Sequence, residues 1–129
     1  MSSDLIPDDI AQFILKKIDS VAQMEALLLL RANSDQEWDA AAVAKRLYIE
    51  EPQASMTLAR LLEGKLLIAS ADEPRRYRYQ PSAPELRPLV DRVAEIYSKQ
   101  LVPVTNLIHS RPQTRVQEFA DAFKFRKDD

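Results

Sequence analysis

Between Trp38 and Tyr79 the apolar pattern changes period once, and the only glycine in the chain, Gly64, stands at the change. Before it, Ala54, Leu58, Leu61 and Leu62 recur at three- and four-residue steps, the stripe of an amphipathic helix. After it, Lys65-Leu66-Leu67-Ile68 sets off as a strand and Ser70-Ala71-Asp72-Glu73-Pro74 makes a polar hairpin tip. Arg75 to Gln80 then alternates, with Tyr77 and Tyr79 on one face and Arg76 and Arg78 on the other. A unique glycine at a helix stop predicts the left-handed residue that turns the chain out of the helix. A helix followed directly by a hairpin restricts this stretch to a few architectures.

The flanking sequence supplies more helix. Pro7 suits a first helical turn, and Ile10, Phe13, Ile14 and Ile18 keep helical spacing, which predicts a helix over about 7–18. Ser20-Val21-Ala22-Gln23 has the spacing of a capping box ahead of a second helix, about 21–32. The polar run Asn33 to Glu37 reads as a turn, with a short strand at Glu37–Trp38. Asp39 is a good N-cap for an alanine-rich third helix over 40–47, and Glu51-Pro52 starts the fourth. On the fourth helix, Gln53, Met56, Thr57, Arg60 and Glu63 are expected on the face opposite the apolar stripe.

Beyond Pro81 a long helix is expected from Pro84, with apolar residues from Leu86 to Ile108 and a kink or break at Pro103. A last short helix begins near Thr114, where Thr114-Arg115-Val116-Gln117 again has capping spacing. The expected class is mainly α with a small β-hairpin, in a single domain over 1–129. Within it, a core spans 20–81 and a helical region spans 84–125.

Composition excludes several kinds of chemistry. There is no cysteine, so disulfides and thiolate catalysis are out, and one histidine, His109, cannot build a zinc site. No glycine-rich phosphate loop and no nucleophile–base pairing is present, so neither an enzyme nor a bound cofactor or metal is expected. The longest apolar run, Ala26 to Leu30, is far short of the roughly 20 residues that cross a bilayer. The acidic N-terminus lacks the pattern of a secretory signal, so a cytoplasmic protein without a membrane role is expected. Net charge is −2, unevenly spread: residues 1–70 hold 7 Lys/Arg against 11 Asp/Glu, and residues 71–129 hold 11 against 9. The basic excess begins at the hairpin.

Residues about 21–80 resemble the winged helix-turn-helix domain of small bacterial transcription regulators. The nearest likeness is to the multiple-antibiotic-resistance repressor (MarR-like) type and its phenolic-acid-repressor relatives. The resemblance rests on Asp39 to Leu47 as the helix before a recognition helix and on Gln53 to Ile68 as that helix and its following strand. Arg75-Arg76-Tyr77-Arg78-Tyr79 matches the returning wing strand. It departs at Asp72-Glu73-Pro74-Arg75, where the family's Asp-x-Arg is shifted, and at Glu50-Glu51, which place negative charge at the helix start.

The resemblance implies a regulator that binds double-stranded DNA as a homodimer, joined through the helices of 84–125. Gln53, Ser55, Met56, Thr57 and Arg60 would meet base edges in the major groove, while Lys45, Arg46, Arg75, Arg76 and Arg78 would sit on phosphates or in the minor groove. Family members often respond to a small-molecule effector, but no residue here identifies one. The competing expectation is a winged helix used for protein–protein contacts without DNA.

Overall fold

The computed structural model describes residues 5–110. Along the chain run α1 (Asp8–Lys17), α2 (Val21–Ala32), α3 (Ala40–Leu47), α4 (Glu51–Glu63), β1 (Leu67–Ala69), β2 (Tyr77–Tyr79) and α5 (Leu86–Lys99). A further helix, α6, occupies 101–110. The predicted last helix near Thr114 lies outside the described residues, as does the end of the 84–125 region.

The joint between α1 and α2 is made by one buried amide. Ser20 Oγ accepts from the Gln23 backbone N–H at 3.1 Å, as the capping spacing predicts. Gln23 Oε1 accepts from the Asp19 N–H rather than from Ser20, and its Nε2 donates to the Lys17 carbonyl. A single side chain thus satisfies the last turn of one helix and the entry to the next.

Asp39 caps α3 by accepting from the Ala42 N–H at 2.8 Å. Tyr48, Ile49 and Glu50 form the turn into α4, and Tyr48 takes the left-handed conformation with φ 58°. α4 ends differently from the expectation at Gly64, which has φ −75°, while Lys65 is left-handed at φ 66°. The Lys65 N–H reaches the Leu62 carbonyl and the Leu66 N–H reaches the Leu61 carbonyl, the paired bonds of a Schellman motif with lysine where glycine is usual. Leu61 and Leu66, both fully buried, close its hydrophobic side. The glycine marked the stop but not the residue that turns; burial of Leu66 holds Lys65 in place.

β1 and β2 pair antiparallel in the register Leu67↔Tyr79, Ile68↔Arg78, Ala69↔Tyr77. The predicted strand at Glu37–Trp38 contracts to one bridge, in which Trp38 and Tyr77 exchange both backbone hydrogen bonds. Leu67, Tyr77 and Tyr79 face inward, whereas Ile68 and Arg78 face outward.

The long helix breaks at Gln100 (φ −125°, ψ 55°), upstream of Pro103. Proline offers no N–H to the Lys99 carbonyl and crowds it, so a continuous helix would fail there. The break instead places Pro103 in the first turn of α6, where no donor is needed. α5 packs on α1, and Val90, Val93, Tyr97, Val104 and Ile108 are buried within one chain. The apolar stripe expected to await a partner is therefore mostly consumed internally, leaving Leu101 and Val102 exposed.

Candidate nucleic-acid interface

α4 packs chiefly against α3 and then against α2, with Ala54, Leu58 and Leu61 inward. Its outer surface carries Gln53, Ser55, Met56 and Arg60, all exposed, Met56 at 69 %. At about 100° per residue, Gln53 and Arg60 share one flank and Ser55 lies on the other, with Met56 between them. Thr57 does not belong to this surface. It is 7 % exposed, because its position turns it toward the buried stripe of Ala54, Leu58 and Leu61. Its expected place among the exposed residues that would meet base edges is thereby corrected.

The flank of Gln53 and Arg60 opens into a groove of about 590 Å³ between the start of α2 and the start of α4. Asp19, Ser20 and Gln23 form one wall, and Glu50, Pro52, Gln53, Met56, Thr57 and Arg60 the other. Arg60 is not presented freely: its guanidinium is paired with Asp19 and lies 3.9 Å from Glu63. The start of α4 carries Glu50 and Glu51, which suit the helix dipole and oppose a phosphate.

The other cations differ in how far they are committed. Lys45 and Arg46 are exposed at the end of α3, but the Arg46 guanidinium lies over the Trp38 ring, 5.4 Å from its centroid. Arg76 is engaged by Asp72 at 3.3 Å and by Glu37 at 3.7 Å. Arg75 donates to the Ser70 carbonyl at 3.4 Å, and Arg78 to Gln80 at 3.2 Å. Among the described residues, Lys45, Arg75 and Arg78 have no carboxylate partner.

The hairpin's aromatic residues are structural. Trp38, Tyr77 and Tyr79 are each at most 6 % exposed and cannot stack on bases. Burial, and next the Asp91 carboxylate, raise the Tyr79 phenol above its ordinary value. The Tyr79 hydroxyl and the Trp38 indole N–H are buried without a hydrogen-bond partner among the described residues.

Two residues of this surface escape a reading of spacing. Asp19 reaches Arg60 from 41 positions away, a contact with no local signature. Tyr48, in the apolar run Leu47-Tyr48-Ile49, reads as core but is 94 % exposed at the α3–α4 turn. No helix among the described residues is long and apolar enough to cross a membrane.

The order α2, α3, turn, α4, two-stranded hairpin recurs in solved structures. The chain is similar to a homodimeric winged helix-turn-helix DNA-binding domain from Mycobacterium bovis, a possible ArsR-family transcriptional regulator. The identity is 22 %, the TM-score 0.52, and the match covers 72 % of this chain and 82 % of that one. It has a winged helix-turn-helix fold. BpsR of Bordetella bronchiseptica, whose DNA binding is regulated by 6-hydroxynicotinic acid, is similar over 99 % of this chain and 82 % of its own, at 23 % identity and TM-score 0.53. The adhesin competence repressor of Streptococcus pyogenes follows at 16 % identity and TM-score 0.50, covering 88 % and 84 %. No protein-family model and no curated protein matches the sequence. In winged-helix terms α3 and α4 are the helix-turn-helix and β1–β2 the wing.

Proposed function

We propose that this winged helix is a DNA-binding transcription regulator of the MarR-like type, cytoplasmic and without enzymatic activity. It binds duplex DNA as a homodimer and occludes a promoter. The supporting observation is the exposed outer face of α4 beside a wing whose Arg75 and Arg78 have no carboxylate partner among the described residues. Gln53 and Arg60 read base edges, since an amide pairs with adenine and a guanidinium with guanine, and Met56 lies against thymine methyls. Ser55 contacts the opposite side of the groove. Lys45, Arg75 and Arg78 hold phosphates, with Arg46 and Arg76 in reach once their present partners yield.

One winged helix covers a half-site, so a dimer with recognition helices about 34 Å apart completes the recognition. Leu101 and Val102, exposed at the start of α6, lie on the dimer surface.

The test is fluorescence anisotropy of the purified chain on a mixed-sequence duplex and on the duplex upstream of its own gene, at low and physiological salt. Salt-dependent binding that favours the upstream duplex is expected. Absence of binding at low salt by a folded protein overturns the reading. A second reading, a protein-interaction module, draws on the same groove: its lining is largely apolar, and Glu50 and Glu51 discourage phosphate. Co-purification of a stoichiometric protein partner without DNA binding would favour it.

A further inference from the structure

The recognition helix carries a charge balance that a duplex must disturb in order to bind. With its N-cap, α4 holds Glu50, Glu51 and Glu63 against a single cation, Arg60. That cation is occupied: a terminal nitrogen of its guanidinium donates to Asp19 Oδ2, and its Nε lies 3.9 Å from Glu63. Asp19 is placed firmly, for its backbone N–H is held by Gln23 Oε1 at 2.9 Å and its side chain is only 20 % exposed. Lys16 and Lys17 line an adjoining hollow together with Asp19, Arg60 and Glu63, but the Lys17 ammonium is committed to the Gly64 carbonyl at 2.8 Å.

We propose, resting on the DNA-binding reading above, that Asp19 tempers DNA affinity by competing with the guanine edge for Arg60. A carboxylate and the O6/N7 edge of guanine offer the same thing to a guanidinium, acceptor atoms for its N–H donors. In the free protein Asp19 holds that place. On a site with guanine in register, the new hydrogen bonds replace the pair that is lost. On other sequences no equivalent acceptor competes, and Arg60 stays with Asp19. Asp19 therefore lowers affinity most for those duplexes on which Arg60 must leave it.

The test compares the wild-type chain with Asp19→Asn, Arg60→Ala and the double variant. Asparagine keeps the size of the side chain and the backbone N–H that Gln23 holds. Anisotropy is read on a guanine-containing mixed-sequence duplex and on an alternating A·T duplex. Asp19→Asn is expected to bind the guanine-containing duplex more tightly, by roughly two- to fivefold, the range set by an exposed ion pair. The gain should be smaller on the A·T duplex and should largely disappear when Arg60 is Ala. Binding by Asp19→Asn where the wild type binds nothing also supports the competition. A gain that persists in full in the Arg60→Ala background means simple removal of charge and overturns it, as does no gain while the wild type binds. If neither protein binds either duplex at low salt, the DNA reading itself has failed. The pair is also read without DNA, from the Arg60 Nε–H signal in 15N NMR, which should shift in Asp19→Asn; an unchanged signal overturns the competition on its own.

Discussion

Two residues with full side chains, Tyr48 and Lys65, hold left-handed backbone that glycine would occupy at less cost. Gly64, beside the second of them, has an ordinary φ, and an added Cβ there would meet its neighbours at 3.5–3.6 Å, normal contact. Lys65→Gly should therefore stabilise the fold by about 1 kcal/mol, while Gly64→Ala should be neutral or slightly stabilising. Urea denaturation measures both, and a large loss in Gly64→Ala would refute the account of this turn. Tyr97 offers a test in pH. Burial, and then its 2.5 Å hydrogen bond to Glu25, raise its phenol above the ordinary value near 10. The folded state thus keeps the proton that the unfolded chain releases. The stabilisation is complete below about pH 10 and is lost as pH rises beyond it. Tyr97→Phe should flatten the fall in stability above pH 10, measured by thermal melts across that range.

At the scale of elements, the α1–α2 joint depends on Gln23, 3 % exposed and bonded to both sides of the turn. Gln23→Ala leaves the Asp19 N–H and the Lys17 carbonyl without their partner and should cost about 2 kcal/mol in chemical denaturation. A loss below about 0.5 kcal/mol would mean that water replaces the amide. The capping spacing at Ser20 and Gln23 made the start of α2 legible. That the amide spans the joint was not legible, because it depends on where α1 ends. The helix boundaries of α3 and α4 were likewise readable from Asp39, Pro52 and the stop near Gly64, since caps and stops act within a few residues. Thr57 was misplaced for a tertiary reason: it sits at the margin of the apolar stripe, and only the packing of α4 against its neighbours decides which margin is covered.

For the whole molecule, the balance of charges over the proposed interface decides how binding responds to salt. At this interface Lys45, Arg75 and Arg78 have no carboxylate partner among the described residues and Arg46 lies over Trp38, whereas Arg60 and Arg76 are paired. Three phosphate contacts per protomer imply a slope of log K against log salt near −3 for each. A slope twice as steep would show that the paired arginines are released on binding. Replacing Arg75 and Arg78 together with Ala should weaken all duplexes alike and flatten this slope, while Arg60→Ala should chiefly relax base preference. The proposed dimer predicts a sedimentation mass of twice 14.7 kDa. A monomer at micromolar concentration would exclude it, and the paired Leu101→Glu and Val102→Glu variant should dissociate it without unfolding the chain.

What the sequence alone determined is the order and kind of the elements: helices, a turn, a helix and a hairpin whose inner face is Tyr77 and Tyr79. Periodicity, caps and turn residues report on the backbone within one or two turns of themselves, and that range suffices for a helix or a hairpin. Which cations stand free, which margin of α4 is buried, and how much of the α5–α6 stripe one chain uses were decided only by the tertiary structure. The Arg60–Asp19 pair, the stacking of Arg46 on Trp38 and the packing of α5 on α1 join residues far apart in sequence, and no local pattern encodes such meetings.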